Sequence, residues 1–230
     1  MFIYILYVYY DHISEKEIAL LSKVTEDIGA SLILFDTKNN NKYFEFTGFL
    51  EMLDSLEIEE GVPARYIFMN SSFFKNHTVP LWIIQKAFSA FPYNNQECYG
   101  VLNKSFKNTL SIKWHMSTWF FMVDSNNAKQ ELQFIPNKFS TDDVFNLEEW
   151  SKVRSWLLSN KFWRGYPGLI DDDGLARKKC TISLEYLLTK MFHDKNFEIK
   201  NLGNNGYISF FLLMDKIIIK CRRFLYLLRC

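Results

Sequence analysis

The strongest constraint on this chain is the order of elements in its first 37 residues. Residues 2–9, FIYILYVY, are continuously apolar and aromatic, the composition of a strand buried on both faces. Ser14-Glu-Lys-Glu17 follows with capping-box spacing and predicts a helix running to about residue 28. Ile18, Leu21, Val24 and Ile28 fall on its apolar stripe, Gly29 ends it, and SLILFDT at 31–37 reads as a second short buried strand. Strand, helix and strand with short joints form a βαβ unit, which commits the chain to a parallel sheet with helices on its faces.

The remaining pattern extends that architecture. A helix is expected over about 47–57, ending near Gly61-Val-Pro63, and a strand over 64–70 that runs into Asn70-Ser71-Ser72. Pro80 opens a helix over 80–90, Pro being favoured in a first turn. Residues 98–103 and 117–124 read as two further strands, and helices are expected over 147–159 and 176–192. The fold class is therefore α/β: an open, mostly parallel sheet flanked by helices, with a helical C-terminal part. No internal repeat and no long linker divides it.

At 230 residues, 48% apolar and 17% aromatic, the chain has material for one ordinary core, with room for a small appendage. Its net charge of +1 provides no global field for nucleic acid or an acidic partner. Cys98, Cys180, Cys221 and Cys230 are scattered with no CxxC pair, which argues against structural zinc and for reduced thiols. The apolar N-terminus lacks a basic leader and a small-residue cleavage site. No stretch reaches the roughly 20 uncharged apolar residues of a membrane span. The expected location is the cytoplasm.

In an open parallel sheet, ligands bind outside the carboxyl ends of the strands. Polar clusters fall at three such ends: Asp36-Thr37, Asn70-Ser71-Ser72 and Asp124-Ser125. Each is also what turn chemistry alone would place there. Glu45, in YFEFTGFLEML at 43–53, lies between two aromatics directly before a helix. A helix start favours an acidic residue through the macrodipole.

The segment NNNKYFEFTGFLEML, followed some twenty residues on by RYIFMNSSFF, resembles bacterial polysaccharide glycosyltransferases of the GT-A type. These are the rhamnan-synthesis-like and related O-antigen and capsule enzymes. CYGVLN with HMSTWFFMVD at 115–124, and ARKKCTISLEYLLTKMFHDKNFEI at 176–199, are similar to later stretches of the same family. The likeness spans roughly residues 1–200, in order and register. It departs at one point: the family's Asn-Asp-Ser strand end reads Asn70-Ser71-Ser72 here, without the carboxylate that helps hold a divalent ion. Mg²⁺ or Mn²⁺ prefers charged oxygen ligands, so metal dependence is put in question.

The resemblance implies a GT-A-like fold and a nucleotide-sugar donor. It places Glu45, Phe46, Asn70, Ser71 and Ser72 at the donor, with Phe44 or Phe46 packing on the nucleoside and Glu45 accepting hydrogen bonds from ribose or base. Glu185, on a helix with Leu184, Leu187 and Leu188, is the expected general base; the alternative is an ion pair with Lys178 or Lys179. His115 is the second catalytic candidate, or a hydrogen-bonded structural residue. Ser117 is placed at the acceptor, and Asp124, at a strand end, at the acceptor, at a metal or simply in a turn. Arg177, Lys178 and Lys179 are available to offset charge on the departing diphosphate, or are simply solvated. Asp171-Asp172-Asp173-Gly lacks EF-hand spacing and reads as a loop, with a lid over the site as its functional reading.

Residues 1–206 form the expected catalytic domain and 207–230 a basic amphipathic tail. In that tail Lys216, Lys220 and Arg223 share one helical face, and Ile217, Cys221, Phe224 and Leu228 the next. This is the pattern of a helix at an anionic membrane surface, or of one covering the chain's own core or a dimer partner. The expected acceptor is a lipid-linked or oligosaccharide glycan, met at the inner face of the cytoplasmic membrane. The second reading is a non-catalytic sugar-nucleotide-binding partner in a synthesis complex. A nucleic-acid partner is not expected, because no RRM or helix-turn-helix signature occurs. The enzyme reading requires Glu45, Asn70 and Glu185 to share one cleft.

Overall fold

A computed structural model describes residues 1–38, 45–58, 60–75, 77, 80–132, 143–159 and 170–227. It is an α/β protein with a six-stranded sheet in the order β2-β1-β3-β5-β4-β6. The strands are β1 Phe2–Tyr9, β2 Ser31–Asp36, β3 Ala64–Asn70, β4 Glu97–Lys104, β5 Trp114–Ser125 and β6 Glu198–Asn201. β1 pairs in parallel with β2 and β3, and β4 with β6. β5 runs antiparallel to both β3 and β4. Every residue of β3 is buried, as expected of a strand covered on both faces.

The first helix, α1 Glu15–Ile28, has the predicted cap. Ser14 accepts from the backbone of Glu17, whose side chain reaches back to Ser14, and Gly29 closes the helix at φ 64. The other helices are α2 Glu45–Ser55, the single turn α3 Ser72–Lys75, α4 Trp82–Ala90, the short α5 Ala128–Leu132, α6 Leu147–Leu157, α7 Asp172–Asp194 and α8 Gly206–Leu227. α3, α5 and β6 lie beyond what the periodicity predicted. They are too short to show a hydrophobic period.

Helices cover both faces of the sheet. On one, Phe49 and Leu53 of α2 and Leu184, Leu188 and Phe192 of α7 pack with Leu6, Phe68 and Phe121. Gly48 lets α2 approach closely: a Cβ there would lie 2.7 Å from Cγ2 of Val8. On the other face, Leu21 of α1, Ile84 of α4, and Ile208 and Leu212 of α8 pack with Ile5, Ile67 and Met122. A smaller cluster joins Val153 and Leu157 of α6 to Tyr186 of α7 and Ile112. Among the described residues no helix is long and apolar enough to cross a membrane.

The direction of β5 decides what reaches which rim. The carboxyl ends of β1, β3 and β4 share one edge of the sheet, and β5, being antiparallel, contributes its beginning there. His115 therefore lies at that edge and Asp124 at the other.

Candidate active site

A cleft of about 980 Å³ opens at the carboxyl-end rim, and Glu45, Asn70, Ser72, His115, Lys178 and Glu185 all line it. Residues separated by 140 positions in the chain thus face one space, the arrangement the enzyme reading required. Their elements explain the convergence. Glu45 opens α2, Asn70 ends β3, His115 begins β5, and Lys178, Thr181, Ile182 and Glu185 recur at helical spacing along one face of α7.

The centre of the cleft is a bulge in β5. Gly100 pairs with Phe121 and Leu102 with Met116, so Val101 stands against Ser117, Thr118, Trp119 and Phe120 together. Bulges of this kind re-aim side chains and interrupt the ladder. Here the freed Thr118 N–H donates to Glu185 Oε1 at 3.1 Å. Thr118 Oγ1 donates to Glu45 Oε1 at 2.7 Å and lies 3.4 Å from Glu185 Oε1. One threonine therefore holds two carboxylates side by side. Behind it, Thr189 donates to the carbonyl of Glu185 and accepts from Met116 N, which locks α7 to the start of β5.

Burial pushes the Glu185 carboxyl up to about 7, with the nearby Glu45 carboxylate adding to the rise; the Thr118 N–H and the more distant Lys178 pull it back. The side chain keeps 15% exposure, so it is accessible from the cleft while poorly solvated. His115 is pushed down to about 4 by burial. Its ring stacks on Tyr186 at 4.5 Å, its Nδ1 lies 3.1 Å from Ser105 Oγ, and its Nε2 lies 3.7 Å from Glu185 Oε2. At neutral pH the imidazole is uncharged, so this contact is not an ion pair. The site holds a carboxyl titrating near 7 beside a neutral histidine, a pairing suited to proton transfer.

Other expected site residues are placed elsewhere. Asp124 is fully buried at the opposite rim, where Arg65 binds it through Nε to Oδ1 and Nη2 to Oδ2, both at 2.6 Å. The antiparallel run of β5 carries it away from any acceptor in the cleft. Phe46 is 2% exposed and packs on Phe49 in the core, so it offers no face to a nucleoside. Phe44 lies outside the described residues. Ser117 is buried and accepts from Asn103 Nδ2 at 2.6 Å; it supports a cleft residue without lining the cleft. Ser71 does not line it either, and its N–H donates to the Val8 carbonyl.

Asp36 caps a local turn, accepting from Asp11 N and Lys38 N. Asp171 is the N-cap of α7, accepting from Gly174 N at 2.7 Å, and Asp172 and Asp173 fill its first turn. That triplet is a helix start in place of the expected loop, because acidic residues complement the helix N-terminus. Of the three basic residues at the start of α7, Lys178 lines the cleft, while Arg177 does not and Lys179 lies over the Trp150 ring.

A Mg²⁺ or Mn²⁺ ion would meet only neutral oxygens at the end of β3. Asn70 Oδ1 already accepts from Ser72 N at 2.9 Å, and Asn70 Nδ2 donates to the Thr118 carbonyl at 3.4 Å. This donor set does not fit a hard divalent cation. Among the described residues, no group of three or more His, Cys, Asp or Glu side chains is placed to hold a metal.

The cleft also contains residues that sequence reasoning missed. Thr118 and Trp119 were read only as strand positions, since a bulge has no local sequence signal. His77 and Arg222 line the same space, and His77 is bound by Asp215 of α8. The one sequence hint was Asp215 itself, a lone carboxylate in an otherwise apolar and basic tail. No known protein family, curated protein or solved structure matches the chain. What defines it is an open, mostly parallel α/β sheet with a two-carboxylate cleft at its carboxyl rim.

Proposed function

We propose that the chain is a nucleotide-sugar-dependent glycosyltransferase with a GT-A-like fold, acting on a lipid-linked glycan in bacterial surface-polysaccharide assembly. The observation that carries this reading is the pair Glu45 and Glu185, joined through Thr118 in a large cleft, with Glu185 titrating at about 7. Transfer requires a base for the acceptor hydroxyl and charge stabilisation on the leaving diphosphate. Glu185 takes the acceptor proton as the new C–O bond forms at the anomeric carbon. The bond from that carbon to the phosphate oxygen breaks, and its electron pair leaves with the nucleoside diphosphate. Lys178, on the same face of α7, supplies positive charge. Glu45, held on the same Thr118 hydroxyl as Glu185, contacts the donor beside it.

A thermal-shift screen of nucleoside diphosphates and nucleotide sugars, with and without Mn²⁺, tests the reading. Binding to the native state raises its apparent stability, by about 2.7 kcal/mol at a hundredfold excess over Kd. Glu45→Gln is expected to weaken the donor about tenfold or more, the usual worth of a charge-assisted hydrogen bond, with the unliganded Tm held. No shift with any nucleotide overturns the proposal. A shift without sugar transfer favours the second reading, a non-catalytic binding partner, which the neutral Asn70-Ser71-Ser72 segment also favours.

The lipid acceptor places the enzyme at the inner face of the cytoplasmic membrane, and α8 supports this. Its inner face covers the core through Ile208 and Leu212. Its outer face presents Tyr207 at 74% exposure, Phe210 and Leu213 at 57% each, and Ile217, with Lys216 and Lys220 exposed alongside. Apolar side chains flanked by lysines match an anionic lipid surface. Phe210→Glu with Ile217→Glu is expected to abolish flotation with phosphatidylglycerol-containing liposomes while leaving the fold intact. Equal flotation of parent and variant rejects membrane docking through this face.

A further inference from the structure

We propose that the cleft holds a second subsite, built by Lys75, His77 and Arg222 and fixed by Asp215, that binds a diphosphate group. The inference deepens the transferase reading by locating the phosphates, yet it concerns binding alone and its test needs no turnover.

The built element is His77. Its Nδ1 lies 2.7 Å from Oδ2 of Asp215, a carboxylate 4% exposed on the inner side of α8. Burying a carboxylate is costly without polar partners, and the imidazole is one of the partners here. The carboxylate in turn selects Nδ1 as a donor and leaves Nε2 as the working atom. The ring lies flat on Trp119, with centroids 4.1 Å apart and planes 18° apart. Position and plane are therefore both set. Nε2 has no partner among the described residues, although His77 lines the cleft. A doubly protonated ring held this way donates from Nδ1 to Asp215 and from Nε2 to an anionic oxygen at once.

Charge points the same way. Lys75, Lys104, Lys178 and Arg222 line the cleft against the carboxylates of Glu45 and Glu185. A chain whose net charge is only +1 thus concentrates positive charge in one cavity. Lys75, Lys104 and Arg222 are exposed, and among the described residues none has a carboxylate partner. Arg222 stands two helical turns beyond Asp215, about 10 Å along the axis at 1.5 Å per residue. The His77–Asp215 bond therefore also fixes where the Arg222 segment of α8 meets the cleft. A guanidinium fork, an ammonium and an imidazole N–H are complementary to the spread oxygens of a diphosphate. Glu45 and Glu185 line the same cleft and disfavour an anion placed directly beside them.

The test is titration of inorganic pyrophosphate by calorimetry at low salt. Binding is expected to weaken about tenfold or more in Lys75→Ala and in Arg222→Ala, each the loss of one charge-assisted contact. Both side chains are exposed, so neither substitution threatens the fold. His77→Gln is expected to weaken it similarly, and Asp215→Asn to weaken it less, by loosening the ring. No binding to the parent, or equal binding by parent and a Lys75→Ala/Arg222→Ala double variant, overturns the subsite. Uridine diphosphate in solution and a prenyl diphosphate in phosphatidylcholine vesicles, each titrated in turn, decide whether the diphosphate arrives on a nucleotide or on a lipid. Pyrophosphate binding with no nucleotide-sugar binding leaves the subsite standing and removes the transferase reading.

Discussion

Glu185→Gln is expected to lower sugar transfer by about 10²–10⁴-fold, the range for loss of a positioned general base, while the folded chain still binds the donor. The carboxylate is the active form, and burial raises its titration from 4.5 to about 7. The parent rate should therefore climb as pH rises towards 7 and level off above it. A variant within threefold of the parent at pH 7.5 would remove Glu185 from the chemistry. Stability gives a second, independent reading of the same group. Between pH 4.5 and 7 the folded chain keeps a proton that the unfolded chain has released. The stability this group contributes is fully present below about 4.5 and is lost as pH rises to about 7, on the order of 3 kcal/mol at one pKa unit per 1.36 kcal/mol. His115 behaves oppositely: lowered from 6.5 to about 4, it contributes stability above 6.5 that is lost as pH falls towards 4. The two trends oppose each other over about pH 4.5–6.5. In Glu185→Gln only the histidine trend remains, so denaturation midpoints of the variant should gain on the parent as pH rises from 4.5 to 7.

Asp124→Asn is expected to destabilise the fold by about 3–5 kcal/mol, the usual cost of stranding one partner of a buried ion pair. At about 2–4 °C per kcal/mol for a domain of this size, Tm falls by roughly 6–20 °C. Arg65 is 1% exposed and Asp124 fully buried. Arg65 also donates from Nη1 to the Phe91 carbonyl at 2.7 Å, and Asp124 Oδ2 accepts from Asn94 N at 3.0 Å. Removing one charge leaves a guanidinium without water or counter-ion. Replacing both, with Arg65→Met and Asp124→Leu, should recover much of the loss, because a buried pair is replaceable by apolar volume. Diphosphate binding measured well below the transition should not change in Asp124→Asn, since the residue lies at the rim opposite the cleft. A loss under about 1 kcal/mol would show that the pair is not load-carrying in this way.

Much of the fold was readable from residue order. The strand at 2–9, the capping box at Ser14 and Glu17, the Gly29 stop and the strand at 64–70 each depend on neighbours in sequence, and the structure has them at those positions. The direction of β5 was not readable, because periodicity marks a strand without its sense. That gap sent Asp124, an acidic residue at a strand end, to the wrong rim. Phe46 failed for a related reason: only the rotation of α2 against the sheet decides whether an aromatic faces core or solvent, and here it faces the core.

The candidate site divides along the same line. Glu45 and Glu185 stood out locally as carboxylates among apolar neighbours, Asn70 and His115 as polar residues beside predicted strands, and all four line one cleft. Thr118, which holds the two carboxylates together, and His77, joined to Asp215 across 138 positions, carry no such mark. Sequence alone determined the α/β class, its caps and the polar residues out of place, because propensity, capping and hydrophobic period are short-range properties. Tertiary structure alone decided which of those residues meet, through the antiparallel β5, its bulge and the docking of α8, because contacts between distant segments depend on how whole surfaces pack.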